Sequence, residues 1–365
     1  MKEFSYRKYS ALMKKIALDH NIPVNGSFEL TPLCNLDCKM CYVHEQDISV
    51  KDRILTGDQW ISIMQQAVDA GMMLAMLTGG EALTHPDFWR IYMFLASQGV
   101  RTSVKTNGIL LTEESIKRFI EYPPTTVDIS LYGCNSEAYL AVTGRDVFET
   151  VEKNIRNAVK AGLNVRIMIT PSKHMLPWID QITELAESFG TQVKVNSLLI
   201  DARESTGRSI DEFNMTLEEY RKINVLRDEK FPVEFISKEE EEELVAYRKS
   251  IGYLETKNGN GLACSGGKNS FAINWDGVMV PCLSFPREIA SANISEMSFI
   301  DAWNTVVKQV SEYQIPAECI SCKYFERCNY CPVQHSDLSL QRKCSPDVCS
   351  YWHTVFETRE KMKND

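Results

Sequence analysis

The sequence predicts an α/β fold with a parallel sheet, followed by a small cysteine-rich domain, and three observations carry that prediction. Strand-like runs alternate with helical patterns from residue 27 to about 200, glycines stand where helices must stop, and eight of the twelve cysteines fall between Cys264 and Cys349. Alternation of this kind buries both faces of a parallel sheet under helices.

The strand-like runs are Ser27 to Thr31, Met73 to Leu77, Val100 to Lys105, Thr126 to Leu131, Asn164 to Ile169 and Gln192 to Leu199, each short and rich in strand-favouring residues. Helical patterns lie between them near Asp58 to Ala70, Pro86 to Gln98, Thr112 to Tyr122, Phe148 to Ala161 and Pro177 to Ser188. In the second of these, Phe88, Ile91, Tyr92, Phe94 and Leu95 recur at helical spacing. Gly99, Gly162 and Gly190 occupy the C-terminal cap positions. Six strands fall short of a full eightfold barrel. In a parallel sheet the segments after the strands gather on the ligand-binding face, which here collects Cys34 to Cys41, Thr78 to Glu81 and Asn107-Gly108.

The expected division is an N-terminal segment 1–26, the sheet domain 27–200, a helical connector 201–260, a cysteine-rich domain 261–352 and a C-terminal helix end 353–365. Thr216 to Asp228 and Lys238 to Lys249 read as helices of the connector. The second opens on the acidic run Glu239 to Glu243, which suits a solvated helix start or, as a sharper alternative, a docking face for a basic partner.

At 365 residues two cores are expected. A net charge of -9 speaks against a general nucleic-acid binder. The first 25 residues hold Lys2, Arg7, Lys8, Lys14 and Lys15 without a continuous apolar stretch or a cleavage site, and no apolar run reaches membrane-spanning length. A cytoplasmic protein that engages neither membrane nor nucleic acid is the expectation. In that compartment twelve cysteines are metal ligands or catalytic groups before they are disulfides. Cys134 stands alone and receives no role.

Cys34, Cys38 and Cys41 follow the first strand at C-x3-C-x2-C spacing. Three thiolates on one loop can hold three irons of a 4Fe-4S cluster and leave the fourth open to a ligand; a structural metal knuckle is the plainer alternative. After the second strand comes Thr78-Gly79-Gly80-Glu81, in which glycines permit close backbone approach to a ligand and Glu81 offers an acceptor for an ammonium. Its bland counterpart is a strand-to-helix turn with a solvated glutamate.

Phe271 to Pro281 reads as a β-hairpin turning at Asp276-Gly277, which would bring Cys264 near Cys282. Cys319, Cys322, Cys328 and Cys331 then follow as C-x2-C-x5-C-x2-C, with Cys344 and Cys349 beyond. Paired C-x2-C is zinc's commonest signature, but the x5 gap is much shorter than that of a zinc ribbon.

Taken in order, the cysteine triad and the Gly79-Gly80-Glu81 turn resemble the cluster and cofactor motifs of radical S-adenosylmethionine (SAM) enzymes. The pattern from Cys264 to Cys349, including Gly277 five residues before Cys282, resembles their SPASM extension, with Cys331 at x2 rather than the family's x3. The resemblance covers residues 27 to 352. It implies a partial (β/α)6 barrel of the radical SAM type followed by a small auxiliary-cluster domain, with three 4Fe-4S clusters and SAM as cofactors. Cys34, Cys38 and Cys41 would hold the first cluster, and Gly79, Gly80 and Glu81 the SAM amine. Met40 would pack against adenine. Asn107, Ser130 and Arg145 would reach the ribose or carboxylate, or else be ordinary turn and surface residues. Auxiliary cluster I would take Cys264, Cys282 and Cys331, and auxiliary cluster II Cys319, Cys322, Cys328 and Cys349. Cys344 would complete cluster I or remain a free thiol, and closure is the expectation.

The activity implied is reductive cleavage of SAM to a 5′-deoxyadenosyl radical that abstracts hydrogen from a peptide, forming a thioether or carbon-carbon crosslink in a ribosomally made precursor. Formylglycine formation in a sulfatase is an alternative weakened by Leu283, where such maturases carry an aspartate. Radical oxidation of a small molecule is another, and an iron-sulfur electron carrier is the non-enzyme alternative. The resemblance implies a reductant such as flavodoxin or ferredoxin. With 33 residues before Cys34, no leader-recognition domain of roughly 80 residues fits there, so a separate recognition protein or direct peptide capture is expected.

Overall fold

The computed structural model describes residues 6–43, 45, 48–196, 199, 211–231, 243, 246–247, 250, 264–325, 331, 333, 336–337, 343–344, 349–350 and 353. Cys328, most of the Lys238 to Lys249 segment and most of Tyr351 to Lys361 lie outside them. The chain divides into two compact units, one of residues 26–232 with 272–278 and the other of residues 1–25, 233–271 and 279–365.

In the first unit β1 (Asn25–Glu29), β2 (Leu74–Thr78), β3 (Arg101–Thr106), β4 (Thr126–Ser130), β5 (Val165–Ile169) and β6 (Gln192–Val195) stand side by side in sequence order. All pairings from β2 to β6 are parallel. With α1 (Tyr6–Asp19) assigned to the other unit, the helices here are α2 (Gly57–Asp69), α3 (Phe88–Ser97), α4 (Glu113–Glu121), α5 (Ser136–Thr143), α6 (Phe148–Lys160), α7 (Ile179–Ser188) and α8 (Leu217–Lys230).

Local sequence explains these boundaries. Thr56 before α2 and Thr216 before α8 each form a capping box, with Gln59 and Glu219 respectively, which satisfies amide groups that a helix start leaves open. Trp60, Ile63, Met64 and Ala67 give α2 one buried face, and the Trp60 ring meets Phe28 of β1 edge-on at 6.0 Å. Phe88 and Tyr92 of α3 pack with Phe119 of α4 at 6.3 and 5.2 Å. Burying each such ring stabilises the fold by about 1.5–3 kcal/mol.

Strand alternation gives the sheet two different faces. Val104, Val127 and Ile129 are fully buried on one of them, and Gly108 fits between the side chains of Ile129 and Val151 of α6, which identifies this as the helix-covered face. The opposite face carries Ser103 and Lys105 of β3, Asp128 and Ser130 of β4, Arg166 and Met168 of β5 and Lys194 of β6, in register across neighbouring strands. The inner surface is therefore polar, as a ligand-binding interior requires.

In the second unit the Trp303 indole donates to the Asn21 carbonyl at 2.6 Å. Phe271 packs against Phe299 and Trp303, at 5.1 and 6.1 Å, on a helix spanning Phe299–Glu312. The hairpin of β7 (Ser270–Ile273) and β8 (Val278–Val280), whose residues 272–278 are assigned to the first unit, turns at Gly277, whose φ of 83° suits glycine. A short strand β9 (Ala292–Asn293) follows, and later β10 (Ser336–Asp337) pairs antiparallel with β11 (Lys343–Cys344). Among the described residues no helix is long and apolar enough to cross a membrane.

Candidate iron-sulfur and cofactor site

The loop after β1 and the turn after β2 are joined backbone to backbone. Leu30 N–H donates to the Thr78 carbonyl at 2.9 Å, Gly80 N–H to Thr31 at 2.7 Å and Glu81 N–H to Leu33 at 2.9 Å. A Cβ on Gly79 would lie 2.6 Å from the Thr31 oxygen, and one on Gly80 would lie 2.4 Å from the Leu33 oxygen. The glycines are thus required by the cysteine loop itself, a different reason from the close ligand approach that the sequence suggested. A further bond, from Asp37 N–H to the Thr143 carbonyl at 3.0 Å, ties the loop to the end of α5.

Glu81 is 1 % exposed, so the solvated glutamate is excluded. Its Oε1 accepts from Thr106 Oγ1 at 2.9 Å and Leu83 N–H at 3.1 Å, and its Oε2 from Asn107 N–H at 2.7 Å. Burial pushes this carboxyl up to about 7, and the three hydrogen bonds oppose the shift. Among the described residues no cation pairs with it. A desolvated carboxylate with fixed donors and no counter-ion is suited to an incoming ammonium.

Asn107 is held by the cysteine loop rather than turned free: its Nδ2 donates to Asn35 Oδ1 at 2.7 Å and approaches Cys34 Sγ at 3.6 Å. Met40 is 8 % exposed, consistent with a packing role beside Cys41. Ser130 ends β4 and bonds the Tyr132 hydroxyl, which is pushed up chiefly by burial and then by the neighbouring thiols of Cys38, Cys41 and Cys34. Tyr132, a residue without a function assigned from sequence, therefore lies within electrostatic range of all three cysteines of the loop. Arg145 is exposed, with its backbone tied to Thr143 Oγ1, and its side chain makes no hydrogen bond or ion pair among the described residues.

Backbone amides two residues on point at several sulfurs. Leu36 N–H reaches Cys34 Sγ at 3.4 Å, Gly266 N–H reaches Cys264 Sγ at 3.4 Å and Tyr324 N–H reaches Cys322 Sγ at 3.5 Å, while Ser284 N–H serves Cys282. Such donors favour the thiolate that a metal needs. Burial nonetheless pushes the Cys34 thiol up to about 12, so ligation must itself drive deprotonation. Cys282 is pushed up to about 11, first by the atoms enclosing its sulfur and then by Cys331 and Cys264. The structure thereby brings together the three cysteines expected for auxiliary cluster I. Of the other set, Cys322 and Cys349 both approach His353 Nε2, at 3.3 and 3.5 Å. His353 was not foreseen, and its spacing of four residues after Cys349 was the available signal. Among the described residues no three His, Cys, Asp or Glu side chains converge as tightly as a metal ion would require.

The profile of the radical SAM superfamily matches residues 28–177, and that of the SPASM iron-sulfur cluster-binding domain matches residues 264–332. The protein is a radical SAM enzyme with a SPASM domain. Its two domains imply iron-sulfur clusters and SAM, and the donor set fits both, with three thiols on the loop after β1, one of them amide-supported, and beside it a carboxylate that has no cationic partner among the described residues. The chain is similar to the antilisterial bacteriocin subtilosin biosynthesis protein AlbA of Bacillus subtilis, at 24 % identity over 90 % of this chain and 71 % of that protein. It is also similar to an AdoMet-dependent heme synthase of Methanosarcina barkeri, at 26 % over 85 % and 91 %. Among solved structures, Streptococcus suis SuiB bound to its precursor peptide SuiA shares the fold with a TM-score of 0.66, at 18 % identity over 93 % of this chain and 77 % of that one.

Proposed function

We propose that this radical SAM enzyme matures a ribosomally made peptide by forming a thioether or carbon-carbon crosslink. The observation that carries the SAM site is the buried, uncompensated Glu81 carboxylate, fixed by Thr106 and Asn107 beside the Cys34–Cys41 loop. Support for a peptide comes from the relatives, one named for bacteriocin biosynthesis and another solved with a precursor peptide bound.

Cys34, Cys38 and Cys41 would hold the first cluster, Glu81 would accept the SAM ammonium, and Ser130 and Arg145 are the candidates for its carboxylate. When bound, cluster and SAM supply a one-electron cleavage yielding a 5′-deoxyadenosyl radical that takes hydrogen from the substrate. Burial keeps bulk water from Glu81, and the polar inner face would orient cofactor and substrate. Cys264, Cys282 and Cys331 with Cys344, and Cys319, Cys322, Cys328 and Cys349, would hold two auxiliary 4Fe-4S clusters. A flavodoxin or ferredoxin would deliver the electron, and the peptide would be captured directly or presented by a separate leader-recognition protein.

A small-molecule substrate is the second reading, favoured by the heme synthase, which matches over most of its length. Formylglycine formation is disfavoured because Leu283 follows Cys282 and offers no base. The deciding experiment incubates anaerobically reconstituted protein with SAM, dithionite and short peptides encoded beside its gene. About twelve irons per chain, 5′-deoxyadenosine, and a peptide lighter by two hydrogens are expected. Iron-free protein binding zinc and leaving SAM intact would overturn the assignment.

A further inference from the structure

Beneath the SAM-binding end of the sheet lies a layer of charge that neither cofactor uses. Lys105 on β3, Asp128 on β4 and Arg166 on β5 are register partners on the inner face, and Lys194 on β6 is paired with Met168, two residues beyond Arg166. Arg166 grips Asp128 with two parallel bonds, Nε to Oδ1 at 3.0 Å and Nη2 to Oδ2 at 2.7 Å. Asp128 is only 3 % exposed, so one guanidinium engages both oxygens of a deeply placed carboxylate.

Three cations surround that single acid. Lys105 feels attraction from Asp128 and repulsion from Lys194 and Arg166, and burial holds its ammonium below the ordinary lysine range. Among the described residues its ammonium has no hydrogen-bond or ion-pair partner. A structural ion cluster pairs its charges, because a buried ammonium with unmet donors is costly. Here the acid is already committed, and the excess is positive.

The layer's position suits a substrate. Lys105 directly precedes Thr106, whose hydroxyl bonds Glu81, and Asp128 stands two residues before Ser130. Strand rise places these side chains about 3 to 7 Å below the cofactor end. Lys194, on the last strand of the row, is exposed and open to an approaching ligand.

We propose that Lys105, Arg166 and Lys194, arrayed around Asp128, form a subsite for a carboxylate of the substrate, which in a peptide is an Asp or Glu side chain or the free C-terminus. The proposal rests on this interior being the substrate chamber of a radical SAM enzyme. Arg166 remains braced by Asp128, while Lys105 supplies the unmet donors and the exposed Lys194 adds a second cation at the rim. The bound carboxylate anchors the substrate below the cofactor and leaves a neighbouring carbon facing it.

Reconstituted protein is offered a random peptide library displayed on its encoding mRNA, in parallel with Lys105→Met protein. At one position Asp or Glu should be enriched about tenfold or more over the amide residues, as one charge-assisted contact allows, and for a free C-terminus a synthetic peptide acid should be preferred over its C-terminal amide by the same factor. Lys105→Met should erase that enrichment while preferences elsewhere persist. SAM affinity, read by equilibrium dialysis, should not change; a tenfold loss would assign the layer to SAM's own carboxylate and overturn the proposal.

If no peptide is enriched, the peptide reading fails by itself and glutarate decides the subsite. Glutarate should then alter 5′-deoxyadenosine formation where glutaramide does not, and Lys105→Met should abolish the difference. Should Lys105→Met not fold, Lys194→Met, at an exposed position, takes its place in both assays. Equal behaviour of native and variant protein towards acidic peptides and towards glutarate would show the subsite assignment to be wrong.

Discussion

At the scale of single residues, Glu81 carries the most testable electrostatics. Its folded value near 7 exceeds the unfolded carboxyl value of 4.5. The group therefore costs no folding stability at a pH below the unfolded value, and its contribution is lost as pH rises through the folded one. Ammonium binding has the opposite demand, since it needs the ionised carboxylate. SAM affinity should accordingly strengthen between about pH 6 and pH 8, and Glu81→Gln should flatten that profile and weaken binding by about 1.5–3 kcal/mol, as read by equilibrium dialysis. His353 makes a second case. Its Nε2 lies 3.3 and 3.5 Å from the sulfurs of Cys322 and Cys349; in the tautomer that carries its proton on Nε2 it donates to sulfur, and such donors raise a cluster's potential. His353→Leu should keep its iron while shifting one auxiliary signal to lower potential in an EPR-monitored redox titration; loss of iron would make the histidine a ligand instead. The cysteines and Glu81 could be read from spacing because their motifs are local. Tyr132, His353 and the Lys105 layer could not, since each acquires meaning only from neighbours on other strands or loops.

At the scale of elements, the stitched turn and loop explain why two glycines follow β2. Gly80→Ala would drive a methyl to 2.4 Å from the Leu33 carbonyl, so the cysteine loop must move. A stability loss of about 1–3 kcal/mol is expected from such overpacking. Thermal unfolding and SAM cleavage should fall together, and an active Gly80→Ala protein with an unchanged melting temperature would show that the junction tolerates displacement. All six strands of the first unit and its five longer interstrand helices were legible, because period and punctuation agree there. Gly99, Gly162 and Gly190 indeed take positive φ after α3, α6 and α7. Among the described residues, three helices of eight or more residues were not predicted from the sequence. α1 mixes lysines among its apolar residues and lacks a clear stripe. α5 has only eight residues, although Asn135 and Gly144 cap it. The helix Phe299–Glu312 was readable from Ser298 and the buried spacing of Phe299, Ala302, Trp303, Val306 and Val310, but the surrounding cysteines drew the attention.

For the whole molecule, motif order along the chain was the strongest signal, because a cysteine triad, a Gly-Gly-Glu turn and a second cysteine field in sequence specify a multi-cluster protein better than any one alone. What sequence left undecided is the fourth ligand of auxiliary cluster I. Cys264 and Cys331 both act electrostatically on the Cys282 thiol, which puts the three proposed ligands in one neighbourhood. Beyond Cys331 the chain doubles back in the β10–β11 hairpin, with Cys344 directly opposite Ser336. Two variants separate the possibilities. Cys38→Ala should abolish 5′-deoxyadenosine formation yet keep about two thirds of the iron, since the auxiliary clusters have their own ligands. Cys344→Ala should keep SAM binding and alter the spectrum of one auxiliary cluster, with partial iron loss, because an iron then lacks its thiolate. Full iron with an unaltered spectrum would leave that iron open, and an open iron could hold a substrate thiolate directly, which favours thioether formation over a carbon-carbon bond.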